Sequence, residues 1–217
     1  MEAILLIIVL IFSVVVHEVA HAWQARREGD DTADRLGRIK LNPIPHLDFI
    51  GSVLVPLALY FSGSGFLFGW AKPVPVNPGK YREYKWGDIR VSLAGIASNL
   101  GLAVLSTFLV VGALKLEAAV GTLGGVTGAV RQMAVFGILI NLVLAFFNLI
   151  PIPPLDGSHV LFHLLPRPLA LQYRQTGRYG LLVMMGLLFL VPGIFQYLLW
   201  PVTYLMGVAD AFIRLWM

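Results

Sequence analysis

The sequence predicts an all-α polytopic membrane protein with about four to six transmembrane or re-entrant helices. Three observations carry that reading: the composition, the length of the apolar runs and the placement of basic residues between them. Of 217 residues, 58% are hydrophobic and only 13% charged, against roughly 45–50% and about 25% in a soluble domain. Mean hydropathy is +0.79, so too few polar groups exist to cover a water-facing surface. Disorder and coiled coil fall by the same arithmetic. The absence of cysteine removes disulfides, thiolate metal sites and thiol nucleophiles together. A net charge of +4 is carried by connecting loops, which reads as membrane topology rather than nucleic-acid binding.

The first apolar run, Glu2 to Trp23, is long enough for a hydrocarbon core of roughly 30 Å. It lacks a basic leader and holds Glu18 and two histidines, so it reads as a retained helix over about residues 2–24 rather than a signal peptide. Further runs lie at about 50–69, 89–114, 132–153 and 180–213. Basic residues cluster in 24–49 (Arg26, Arg27, Arg35, Arg38, Lys40), in 70–90 (Lys72, Lys80, Arg82, Lys85, Arg90) and in 157–178. The positive-inside rule makes these stretches cytoplasmic.

Two basic flanks on one side leave 50–69 unable to cross. Pro56 and the Ser62-Gly63-Ser64-Gly65 break fit a re-entrant segment, with an ordinary span as the alternative. In 180–213, Pro192-Gly193 and Pro201 make either a membrane hairpin or one kinked helix. The expected organisation is a membrane-embedded core over 1–165 and a C-terminal hairpin or kinked helix over 166–217.

Near the inner end of the first helix the chain reads His17-Glu18-Val19-Ala20-His21. Histidines at i and i+4 share one helical face, about 5–6 Å apart at Cβ, so both imidazoles can hold one metal ion. Glu18 is adjacent, within reach of a proton on metal-bound water; H-E-x-x-H is a metalloprotease pattern. Ionisable groups inside a spanning helix cost roughly 2.5–3.5 kcal/mol on the insertion scale, which argues for function. Catalytic zinc takes three protein ligands and keeps one open position. The 132–153 run ends in Asn148-Leu149-Ile150-Pro151-Ile152-Pro153-Pro154-Leu155-Asp156-Gly157. Its prolines unwind the chain, and Asp156 follows at about the depth of the two histidines. A turn aspartate before Gly157 is the alternative reading.

These residues resemble the site-2 protease family of intramembrane zinc metalloproteases. The resemblance rests on HEVAH, on NLIPIPPLDG against N-x-x-P-x-P-x-L-D-G, on GWAKPVPVNP at 69–78 and on GRIKLNPIPHLDFIGS at 37–52, and it runs to about residue 165. The chain looks like a short bacterial-type member without a PDZ or CBS domain. The family's A-G-P-x-x-N appears as Ala94-Gly95-Ile96-Ala97-Ser98-Asn99, with the proline lost, and D-G-G as Asp156-Gly157-Ser158.

The resemblance implies one zinc ion per chain on His17, His21 and Asp156, with Glu18 as the catalytic base and acid. It implies Asn148, Asn99 and Pro151 in substrate binding, and a small extended or β segment at 69–78 near the active site. It further implies a multi-pass cell-membrane protein, active near the cytoplasmic side, that cleaves within or next to transmembrane segments. Expected partners are a transmembrane substrate, the lipid bilayer and either a second copy of the chain or a separate regulatory membrane protein, with no nucleic acid. A membrane zinc transporter using the same residues as a permeation site is the alternative. His46 lies in the family-like 37–52 stretch, near the cleft or simply in a loop. His159 and His163 have no carboxylate between them and read as solvated or interfacial residues.

Overall fold

The computed structural model describes residues 2–61, 72–121, 125–190 and 193–217. Among these the α-helices are, in order, α1 (Glu2–Glu28), α2 (Thr32–Arg35), α3 (Val55–Phe61), α4 (Tyr84–Val120), α5 (Val126–Leu149), α6 (Asp156–Leu164), α7 (Arg167–Thr176), α8 (Gly180–Leu190), α9 (Ile194–Leu198) and α10 (Trp200–Arg214). The protein is an all-α membrane protein. Three of its helices, α1, α4 and α5, are long and apolar enough to cross a bilayer.

Helix α4 runs from Tyr84 through Val120, beyond the 89–114 read from hydropathy. At 1.5 Å per residue its 37 residues reach about 55 Å, well beyond the thickness of a hydrocarbon core of about 30 Å. Helix α5 starts earlier than expected, at a left-handed Gly125 (φ 82°), and stops at Leu149 rather than 153. The stop has a steric cause: Ile150 precedes Pro151, whose ring disfavours the helical region, and Ile150 is extended (ψ 129°).

Polar pairs fix the register of the three long helices. The Arg90 guanidinium grips both Glu28 carboxylate oxygens at 2.8 Å, joining the end of α1 to the start of α4. His21 bonds Val91, and His17 bonds Asn99 about two turns further along, so α1 and α4 are antiparallel. Asn99 bonds Asn141, and Glu117 pairs with Arg131 at 3.4 Å, which makes α4 and α5 antiparallel as well. Helices α1 and α5 therefore run parallel and end on the same side. Ala103, Val110, Ala134, Ile138 and Leu142 form the apolar core between α4 and α5, and Val202 adds α10 to it.

The 50–69 stretch begins with a π-helical turn, Phe49–Leu54, followed by α3. Those elements end at Phe61, too short to span. The expected break at residues 62–65 lies outside the described residues, as does Trp70. The 180–213 stretch is divided among α8, α9 and α10, with Pro201 in the first turn of α10, where a missing N–H is harmless. The proposed small β segment is irregular chain over 72–77, extended at Asn77 (φ −122°, ψ 94°); no strand occurs among the described residues, and 69–71 lie outside them. It is pinned at both ends. The Lys72 N–H donates to the His46 carbonyl at 2.8 Å, and the Asn77 N–H donates to Asp30 Oδ2 at 2.6 Å.

Candidate active site

His17 and His21 stand one turn apart on α1, their rings edge to face at a centroid distance of 4.5 Å. Asp156 opens α6. Between α5 and α6 the chain turns through Ile150–Leu155, with a cis Pro153–Pro154 peptide and hydrogen bonds from the Ile152 N–H to Ile150 and from the Leu155 N–H to Ile152. Gly157 lets this turn close: a Cβ there would collide with the Leu149 carbonyl. Because α1 and α5 end on the same side, the turn delivers Asp156 to the histidines. Asp156 Oδ2 lies 3.1 Å from His17 Nε2 and 3.3 Å from His21 Nε2, and the two Nε2 atoms are 2.9 Å apart.

The protons are elsewhere. His21 Nδ1 faces the Val91 backbone carbonyl at 2.7 Å, an atom that can only accept, so His21 carries its proton on Nδ1. His17 Nδ1 faces Asn99 Oδ1 at 2.6 Å and does likewise. Three lone-pair atoms thus converge with no hydrogen between them, and Asp156 Oδ2 is a buried oxygen without a hydrogen-bond partner. Such a cluster is repulsive unless a cation fills it. Atoms about 2.1 Å from one tetrahedral cation lie roughly 3.4 Å apart, close to the separations found. The donor set fits a divalent metal, and these three are the group among the described residues whose ligand atoms all come within 4.8 Å of one another.

Glu18, half-buried, accepts a hydrogen bond from the Val74 N–H on Oε2 at 2.7 Å. The pinned 72–77 segment therefore borders the His17–His21 motif. Gly95 forms the floor: a Cβ there would come within 2.5 Å of both His17 Cε1 and His21 Nε2.

The remaining predicted positions divide. Asn99, expected at the substrate, is wholly buried (0% exposed) and its amide is engaged by His17, Asn141 and the Ser13 carbonyl. Asn148, in the last turn of α5, donates to the Leu144 carbonyl of its own helix. The Pro151 carbonyl accepts from Tyr173 Oη at 3.0 Å. His46 is buried, with Nε2 facing the Lys40 carbonyl, and braces the segment beside Glu18.

His159 and His163 are not both solvated. Asp88 on α4 reaches them at 3.2 and 2.8 Å, and the His163 side chain is only 5% exposed. The carboxylate absent between them in sequence arrives from another helix and fastens α6, and with it Asp156, to α4. Ser13, Val91, Asp88 and Val74 escaped sequence reading, since no local pattern marks a residue that acts across helices. The glycine of the Ala-Gly-x-x-x-Asn stretch was the one available signal.

A model of peptidase family M50 matches residues 57–191. The chain belongs to peptidase family M50. Two curated relatives agree, both provisionally named zinc metalloproteases. YwhC of Bacillus subtilis (strain 168) is 40% identical over 196 residues, covering 90% of this chain and 84% of the relative. Rip2 of Mycolicibacterium smegmatis is 33% identical over 159 residues, covering 71% of this chain and 54% of the relative. No solved structure gives a significant match. The M50 assignment, the site-2 protease family, makes the chain a metalloprotease, and its three long apolar helices make it a multi-pass membrane protein.

Proposed function

We propose that this M50 protease is an intramembrane zinc metalloprotease in which His17, His21 and Asp156 hold one zinc ion per chain. The observation that carries the reading is the convergence of three unprotonated ligand atoms at the ends of two parallel apolar helices, with Glu18 beside them. Zinc bound there supplies Lewis-acid chemistry, acidifying a water and polarising a peptide carbonyl.

Glu18 takes the proton from the attacking water and returns it to the leaving amine. The Val74 N–H holds one carboxylate oxygen in place, so the other is presented to the reaction. Gly95 excludes bulk beneath the imidazoles and keeps them parked against Asp156. A transmembrane substrate hides its carbonyls in helical hydrogen bonds, so it must unwind first; the extended 72–77 chain offers a backbone edge along which an unwound substrate can lie. Asn148 and Pro151, at the unwound end of α5, contact that substrate.

The basic loops put the site near the cytoplasmic face of the cell membrane. Residues 1–165 form the catalytic core, and 166–217 is an appended membrane hairpin or kinked helix. The partners are a membrane-protein substrate and the bilayer, joined by a second copy of the chain or a regulatory membrane protein.

The test is Glu18→Gln in detergent-solubilised protein. Zinc content should stay at the parent level while cleavage of a transmembrane substrate falls by about 10²–10⁴-fold, the usual worth of general acid–base catalysis. Undiminished cleavage would remove Glu18 from its role, and undiminished zinc in Asp156→Ala would remove Asp156 from the site.

A further inference from the structure

We propose that Asn141, Asn99 and Ser13 form a relay across three helices that fixes the ring tautomer of His17, making Asn99 and Asn141 positioning residues for the metal site. The proposal rests on the zinc assignment above. A neutral imidazole carries its single proton on either nitrogen, and only the Nδ1–H form leaves Nε2 free to bind a metal. For His21 the Val91 backbone carbonyl settles the choice directly. His17 has an asparagine instead, and an amide can present either its oxygen or its NH2. Presented the wrong way round, Asn99 would donate to Nδ1 and drive the proton to Nε2, into the ligand cluster.

The structure removes that freedom in steps, each anchored on a backbone carbonyl. The Asn141 Nδ2 group donates to the Gly137 carbonyl at 2.8 Å and to Ser13 Oγ at 2.9 Å. A carbonyl cannot donate, so the Asn141 oxygen must point the other way, toward Asn99. There it accepts from Asn99 Nδ2 at 2.8 Å, and that same amide nitrogen lies 3.4 Å from the Ser13 carbonyl, a second pure acceptor. Asn99 Oδ1 is then the atom left to face His17 Nδ1, at 2.6 Å. Turning Asn99 over would set its oxygen against Asn141 Oδ1 and the Ser13 carbonyl, and turning Asn141 over would set NH2 against NH2 and its oxygen against the Gly137 carbonyl, at a place where Ser13 and Asn99 are 0% and Asn141 is 2% exposed. Ser13, Asn99 and Asn141 belong to α1, α4 and α5. The proton on His17 is thus set by the packing of all three long helices, and metal competence arrives only with the correct bundle.

Groups hydrogen-bonded behind a metal-binding histidine typically hold 10–100-fold in metal affinity or activity. The experiment measures the zinc dissociation constant of the whole protein in detergent by chelator competition. It also records the visible spectrum of the Co(II)-substituted protein and the thermal unfolding of the metal-free protein. Asn141→Leu, which does not touch His17, should weaken zinc binding about tenfold and alter the Co(II) bands. Asn99→Leu should weaken it about 10–100-fold, whereas Asn99→Asp, which keeps an accepting oxygen on Nδ1 and when protonated can donate to Asn141 Oδ1, should weaken it distinctly less. Leu142→Ala, a core truncation on the same helix, should lower the unfolding temperature and leave zinc affinity alone.

Parent-like zinc affinity in both Asn141→Leu and Asn99→Leu overturns the relay. If Asn141→Leu does not fold, the two Asn99 variants decide, and equal weakening in both overturns it. Asp156→Ala separates the two readings. Loss of zinc there with unaffected asparagine variants sinks the relay alone; retained zinc there sinks the site assignment and the relay with it.

Discussion

Val74 stands between Pro73 and Pro75, two residues without an N–H, and its own N–H donates to Glu18 Oε2 at 2.7 Å. The proline alternation of this segment leaves one backbone donor at the position facing Glu18. A hydrogen bond to a charged group contributes about 1.5–3 kcal/mol, enough to hold a carboxylate in one rotamer.

Val74→Pro removes that donor and no side-chain function. Cleavage should fall roughly 10-fold or more, the rate equivalent of at least about 1.4 kcal/mol, with zinc content unchanged. Metal analysis beside a cleavage assay checks this; full activity would detach Val74 from Glu18's task.

Gly95→Ala inserts a methyl group where both imidazoles already stand, 2.5 Å from His17 Cε1 and His21 Nε2. The rings cannot yield without breaking their bonds to Asn99 and Val91. Zinc affinity should drop by at least about 10–100-fold, read by chelator competition, and activity with it. A Gly95→Ala protein that holds zinc normally would show that the rings have room the structure denies them.

Asp30 anchors the far end of the 72–77 segment. Its buried carboxylate accepts from the Thr32 N–H and Oγ1 and from the Asn77 N–H, with the Lys80 ammonium 3.6 Å away. Burial pushes its pKa up, but these donors and Lys80 outweigh that and hold it below the ordinary 3.8. The sign follows from linkage. The anchor's contribution is complete above the ordinary value and disappears as pH falls through the depressed one. Protection of the Asn77 amide from hydrogen exchange should persist at pH 5. Asp30→Ala should lose it at every pH, at a cost of about 1–3 kcal/mol for the orphaned donors.

Metal removal should destabilise the bundle end, because the three converging lone-pair atoms repel once the cation is gone. At free zinc 100-fold above its dissociation constant, binding to the folded state alone adds about 2.7 kcal/mol. Chelation should therefore lower the unfolding temperature of the parent protein and leave that of Asp156→Ala unchanged.

Much of the site was legible because its parts are local. His17, Glu18 and His21 lie within one helical turn and a half, and Asp156 follows a proline run that must break a helix, so spacing and steric rules reach them. Element ends were less legible. The extension of α4 to Tyr84 and Val120 covers charged and boundary residues that an apolar-run reading excludes, and α5 stops at Leu149 because Pro151 acts on its predecessor.

The sequence alone determined that the chain is helical and membrane-embedded and that it carries a metalloprotease motif, because composition, periodicity and i, i+4 spacing act over a few residues. Only the tertiary structure decided that Asn99 bonds His17, that Asp88 clasps His159 and His163, and that Val74 holds Glu18. Those partners lie 82, 71, 75 and 56 residues apart. Hydrogen bonds are short-ranged and directional, so which groups meet is settled by how α1, α4 and α5 pack, and no local pattern in the chain encodes it.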